Sequence, residues 1–244
     1  MSLGPARLPI QPGPAKAVGA AVDVLARWMD SEHLRLGGGT ALEARWHHRS
    51  STDLDFFALA EHADVVFYER FRRVLEDLEQ LARDGVVATE GMRMTGRSIV
   101  HFRIGETPVS FGRVDVFHGD PADEVEYATG VALNGTRDIL AKKMYNRLGS
   151  NRLATERDAY DFAVARTKAP DDLTYAWGLM PEYMKEIAVG LCRERAERGP
   201  PLELDEVRYA SIARDVWGHV VRMFESDLDY VPPLSMDEGD TGHA

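Results

Sequence analysis

Two aspartates one residue apart, Asp53 and Asp55, lie in the run Thr52-Asp53-Leu54-Asp55-Phe56-Phe57. On a β-strand this spacing puts both carboxylates on one face and turns Leu54 and Phe56 toward a core. Two anionic groups side by side repel unless a cation lies between them, and hard oxygen donors suit Mg²⁺ or Mn²⁺. Upstream, Leu34 and Leu36 lead into Gly37-Gly38-Gly39-Thr40. A glycine turn at the start of a helix offers backbone N–H groups to phosphate. Either motif alone is common. A DxD pair also serves glycosyltransferases on a different scaffold. The DxDxT pattern of haloacid-dehalogenase phosphatases fails here, because Phe57 stands where the threonine belongs.

The elements that must position these groups read as strand, glycine turn, short helix (41–46), polar turn and strand. His47 and His48 lie in the polar turn and are expected to be exposed; Arg49 beside them has no assigned role. Residues 1–15, rich in proline and glycine, read as a loose arm. Val18, Ala21, Val22, Leu25 and Trp28 give a helix over 16–31, and Val66, Phe67, Phe71, Val74, Leu75, Leu78 and Leu81 give one over 64–83, stopped by Asp84-Gly85. The period then changes, with strands expected at 86–89, 98–104 and 109–117 and turns at Gly96 and Gly105. The last strand carries a single acid, Asp115, between Val114 and Val116. Residues 119–134 read as a loop or short hairpin, after which the pattern is helical to about 225. The tail from 231 to 244 is acidic and expected to fray.

The helix over 136–148 has an apolar stripe of Leu140, Met144 and Leu148, with Lys143 and Arg147 at i, i+4 on another face. Thr155-Glu156-Arg157-Asp158-Ala159-Tyr160-Asp161-Phe162 follows. Thr155 and Asp158 also have the spacing of a helix capping box. Trp177, Trp217 and Tyr183, at helical spacing, are expected in the core, and His101 is expected to be structural.

The chain has 244 residues, a formal net charge of −11 and one cysteine, Cys192. No internal disulfide can form, which fits a reducing cytoplasm and excludes a cysteine-rich zinc site. No run is long and apolar enough to span a membrane, and the N-terminal residues lack a signal-peptide core. The acidic balance disfavours broad electrostatic binding of nucleic acid, although Arg and Lys are dense over 137–157.

A Gly-Gly followed by a DxD strand is the signature of the DNA polymerase β-like nucleotidyltransferase superfamily. The wording Gly38-Gly39-Thr40-Ala41-Leu42, then His48-Arg49-Ser50-Ser51-Thr52-Asp53-Leu54-Asp55-Phe56-Phe57, resembles its AbiEii/AbiGii branch, the nucleotidyltransferase-like toxins of bacterial toxin–antitoxin and abortive systems. Downstream, the family pattern of a helical lysine, a loop and Arg/Lys-Asp-x-x-Asp-Leu falls on Lys143, Asp158 and Asp161. Lys142 is the near miss for the lysine, and Phe162 replaces the usual leucine. The resemblance implies an α/β fold (α+β): a small mixed, twisted sheet flanked by helices, spanning about 16–130. A helical part over 131–230 completes the site. Asp53 and Asp55 would hold Mg²⁺ or Mn²⁺ on an NTP. Asp115, on a neighbouring strand, would complete the metal site. Gly38, Gly39 and Thr40 would bind phosphates and Lys143 would offset charge, with Asp158 and Asp161 orienting it or acting as a base. The implied activity is transfer of a nucleoside monophosphate to an acceptor hydroxyl, with a tRNA end favoured and a protein possible. A cognate antitoxin is the implied partner. Two alternatives stand: a non-catalytic nucleotide- or partner-binding module on the same fold, and a small-molecule nucleotidyltransferase of the antibiotic-modifying type.

Overall fold

The computed structural model describes residues 10–118, 131–198, 204 and 206–234, with the backbone of 125–126. The chain forms two compact units, Met1–Gly135 and Thr136–Ala244. The expectations for 1–9, for most of 119–130 and for 235–244 lie outside the described residues.

In the first unit, α1 (Pro12–Ala26) starts on a proline, whose fixed φ suits a first helical turn. Residues 12–15 are therefore helix rather than arm. The helix stops at Ala26, and a short 3₁₀ turn, Ser31–His33, leads into β1 (Arg35–Gly37). Next come α2 (Gly38–Trp46), β2 (Leu54–Leu59) and α3 (Ala60–Asp64). A π-helical turn, Val65–Glu69, separates α3 from α4 (Phe71–Arg83), so the single helix expected over 64–83 is interrupted. The strands β3 (Arg93–Thr95), β4 (Ile99–Ile104), β5 (Thr107–Val114), β6 (Val125–Glu126) and β7 (Val131–Leu133) complete the unit. Residues 86–89 form no strand. Val87 is buried and the Ala88 N–H bonds the Arg103 carbonyl, but the edge of the sheet is taken by β3.

The sheet is mixed, with seven strands in the order β3-β4-β5-β2-β1-β7-β6. β2 runs antiparallel to β1 and parallel to β5; β1 runs parallel to β7. Leu54, Phe56 and Ala58 of β2 are fully buried, alongside Val109 and Phe111 of β5 and Val100 and Phe102 of β4. Trp28 packs edge-on against Phe102, and Phe67 stacks on Phe111 at 5.5 Å. Thus the alternation read from Leu54 and Phe56 sets which face of β2 meets the helices, and leaves Asp53, Asp55 and Phe57 on the other, half-buried face.

The second unit is helical: α5 (Thr136–Lys142), a π-helical segment Lys143–Ser150, α6 (Glu156–Lys168), α7 (Pro170–Gly178), α8 (Glu182–Glu197), α9 (Ala210–Ala213) and α10 (Val216–Glu225). Leu140, Met144 and Leu148 are buried as one stripe, and Trp177 stacks on Phe224 at 4.4 Å. Trp217 is also core. Tyr183 is not: it is 59% exposed on the outer side of α8. Among the described residues no helix is long and apolar enough to cross a membrane.

Candidate functional site

The glycine turn and the acidic pair meet. Gly37 lies opposite Asp55 in the β1–β2 register, and α2 begins at Gly38. Gly38 has φ +64°, a left-handed conformation that glycine adopts without penalty. A Cβ built there would lie 2.2 Å from Asp55 Oδ2, so the carboxylate occupies the space a side chain would need. Asp55 is thereby seated at the first turn of α2, where the helix dipole favours negative charge. At Gly39 a Cβ would meet the Arg49 guanidinium at 2.6 Å and Ser51 Oγ at 3.0 Å.

Hydroxyl groups fix the two acids. Ser110 Oγ donates to Asp55 Oδ1 at 2.6 Å, and Ser51 Oγ donates to Asp53 Oδ1 at 3.1 Å. The Thr40 hydroxyl donates to the Asp53 carbonyl oxygen. Behind them the buried Glu43 accepts from the Ser51 N–H at 2.8 Å and tethers the polar turn to α2.

Two expectations need correction here. Thr40 is buried and its hydroxyl is turned inward to the strand, so it holds Asp53 in place rather than facing a phosphate. Asp115 does not join the pair. In the parallel β2–β5 register Asp55 lies beside Ser110, and the strand ends with Val114 beside Leu59. Asp115 therefore sits five residues beyond Ser110, a separation on the order of 15 Å along the strand. Its side chain is 81% exposed and paired with Arg113 Nη1 at 2.6 Å. Among the described residues, the group of three or more His, Cys, Asp or Glu donors within ligand reach of one another is Asp30, Glu32 and His33, a different place on the unit.

The chemistry of the acidic pair fits a divalent ion. Asp53 and Asp55 are both half-buried, and Mg²⁺ is commonly held by one or two carboxylates together with substrate phosphates. In the strand register the neighbour of Asp55 is Ser110 rather than a third carboxylate.

In the second unit Lys143, Asp158 and Asp161, the residues on which the family pattern falls, lie together. Lys143 Nζ lies 2.5 Å from Asp158 Oδ1 and 3.1 Å from Asp161 Oδ2, with both aspartates fully buried. The capping box is present too: the Thr155 N–H and hydroxyl both donate to Asp158 Oδ2 at 3.0 Å. Arg147 Nη1 reaches the same oxygen at 3.3 Å from the solvent side. Burial alone would raise the Asp158 pKa, but the Lys143 ammonium and Arg147 guanidinium outweigh it and hold the carboxyl below the usual range. Lys143 opens a π-helical segment, a local widening of the helix that recurs at functional sites. Lys142 is not the site lysine; it pairs with Asp138 one turn back at 2.5 Å.

A model of the family described as the nucleotidyl transferase AbiEii toxin of type IV toxin–antitoxin systems matches residues 23–235. The chain belongs to the AbiEii nucleotidyltransferase toxin family. Among curated proteins none matches. Two solved structures from Helicobacter pylori share 14% identity with it. One is described as a candidate nucleotidyltransferase; it aligns over 87% of this chain and 92% of its own at a TM-score of 0.46. The other, JHP933, covers 87% and 89% at 0.44. A structure described as a tRNA-processing enzyme shares 11% identity, covering 91% of this chain and 58% of its own, at 0.41.

Three side chains at the AbiEii glycine turn were not foreseen. Arg49 is buried against Gly39, and Ser110 holds Asp55 from the neighbouring strand. His48 is fully buried with its ring edge-on to Trp46, whereas His47 is exposed as expected and adopts a left-handed backbone that ends α2. An arginine within a serine-rich turn directly before a DxD was the available signal for Arg49. Ser110 carried none, since only the register of β5 places it.

Proposed function

We propose that the protein transfers a nucleoside monophosphate from an NTP to an acceptor hydroxyl, with pyrophosphate leaving, and that an RNA 3′ end is the favoured acceptor. The observation that carries this is the seating of Asp55 in the notch left by Gly38. It makes the glycine turn and the acidic pair one site rather than two motifs. In the transfer the acceptor oxygen forms a bond to the α-phosphorus, the bond from that phosphorus to the bridging oxygen breaks, and the acceptor proton is lost to solvent.

Asp53 and Asp55 would hold Mg²⁺ or Mn²⁺, whose charge offsets that of the triphosphate. Gly38 and Gly39 offer backbone N–H groups to the phosphates, and the Arg49 guanidinium beside Gly39 supplies fixed positive charge. Within the second unit, Lys143 is held and oriented by Asp158 and Asp161, and the family resemblance is what suggests a phosphate role for it. Catalysis of this kind rests on positioning and on preorganised charge, with little covalent chemistry left to the protein. The toxin family implies a cognate antitoxin and action in the bacterial cytoplasm.

One observation favours a second reading. With Asp115 away from the pair, the described residues supply two carboxylates there rather than three. A module that binds a nucleotide without transferring it would need no more than is present. Incubation with each labelled NTP, Mg²⁺ or Mn²⁺ and total tRNA, beside an Asp55→Ala control, separates the two. Asp55-dependent label on RNA supports transfer. Metal-dependent NTP binding with no label on any acceptor supports the second reading.

A further inference from the structure

The turn between the π-helical segment and α6 exposes several arginines of this acidic chain. Tyr145, Asn146 and Arg147 are exposed, as are Ser150, Asn151, Arg152, Leu153, Thr155 and Arg157. The one acid in this stretch ahead of the buried Asp158 is Glu156, which is half-buried and accepts from the Trp217 indole. The turn is folded back on itself: the Leu153 N–H bonds the Arg147 carbonyl at 2.7 Å, and the Asn151 N–H bonds the Asn146 carbonyl at 2.9 Å. Arg152 is held at φ +55°.

Several arginines elsewhere are neutralised by a carboxylate. Arg27, Arg113, Arg137, Arg193 and Arg222 each lie against a carboxylate. Among the described residues Arg152 and Arg157 have no carboxylate partner. Arg147 does have one, Asp158, but half of its side chain faces solvent. Tyr145 is 41% exposed and Leu153 is 68% exposed on the same stretch. Exposed guanidinium groups on a stretch that also exposes an aromatic ring and an apolar side chain suit a phosphodiester backbone with unpaired bases.

We infer that this turn is the face on which a single-stranded RNA lies, with Arg147, Arg152 and Arg157 on its phosphates and Tyr145 against a base. The inference rests on an RNA acceptor and adds where that RNA is held. Arg147 gives the face its connection to the proposed chemistry, since it touches the outer side of the carboxylate whose inner side holds Lys143.

The test is fluorescence anisotropy of the full chain with a labelled single-stranded RNA oligonucleotide over a salt series, beside Mg²⁺-dependent NTP binding by the same samples. Each phosphate contact to a single strand adds about 0.7 to the slope of log affinity against log salt. Arg152→Glu/Arg157→Glu should weaken RNA binding at least tenfold and lower that slope by more than 1, while NTP binding and melting temperature stay as in the wild type. Arg152→Lys/Arg157→Lys should keep the slope, and Tyr145→Ala should weaken binding severalfold without changing it. Unchanged RNA affinity in the charge-reversed variant overturns the inference, as does a wild-type chain that binds NTP but no RNA. Loss of NTP binding in Asp55→Ala with RNA affinity intact supports the separate docking face. An absence of NTP binding from the wild-type chain would instead count against the nucleotidyltransferase proposal.

Discussion

Gly38 is the position where backbone and chemistry are most tightly joined. Its positive φ and the Asp55 carboxylate in its Cβ space leave no room for another residue. Gly38→Ala should destabilise the fold by about 1–3 kcal/mol, through left-handed strain and the displaced carboxylate. It should also lower transfer by at least tenfold; thermal melting and an NTP-dependent assay check the two parts. Ser110 acts on the same carboxylate from the other side. Ser110→Ala removes a hydrogen bond to a charged acceptor, worth about 1.5–3 kcal/mol, and is expected to weaken NTP binding more than it lowers melting temperature. Asp115→Asn, by contrast, should leave transfer within about twofold of wild type, since Asp115 is an exposed partner of Arg113. Cys192 is buried and its thiol is pushed up to about 12 by that burial. It should resist maleimide in the native protein at pH 8 and react promptly after denaturation.

At the scale of elements, the strand beside the aspartates and the glycine turn were legible because each has a local pattern, whereas the helical lysine was picked out only by the family resemblance. Leu54 and Phe56 alternate with the acids. The partner of Asp55 was not legible, because it depends on how β5 slides along β2. A one-step change in register would replace Ser110 without altering any local pattern. The run 86–89 failed as a strand for a related reason: β-propensity does not decide which segment pairs with the edge of a sheet. In the helical unit, the Lys143–Asp158–Asp161 cluster can be tested through pH. The folded Asp158 carboxyl lies below its unfolded value, so its contribution to stability is full above the unfolded pKa, about 3.9, and is lost as pH falls through the folded value. Asp158→Asn should flatten the acid limb of a melting-temperature profile below about pH 4. It should also cost about 3–5 kcal/mol near neutral pH, because Lys143 is then left buried with one carboxylate instead of two.

For the whole molecule, the AbiEii family match runs over 23–235 and so covers most of both compact units. A net charge of −11 disfavours indiscriminate binding of nucleic acid, so the proposed RNA acceptor would have to be held by a local face rather than by the overall field. Expression in a bacterial host should slow growth, and Asp55→Ala should relieve it at equal protein level. The most direct measurement of the central claim is equilibrium binding of a fluorescent NTP with and without Mg²⁺, in wild type, Asp53→Asn and Asp55→Asn. Metal-dependent binding that falls at least tenfold in both variants, with melting temperature retained, is the predicted result. Binding that ignores the metal and survives both substitutions would contradict it.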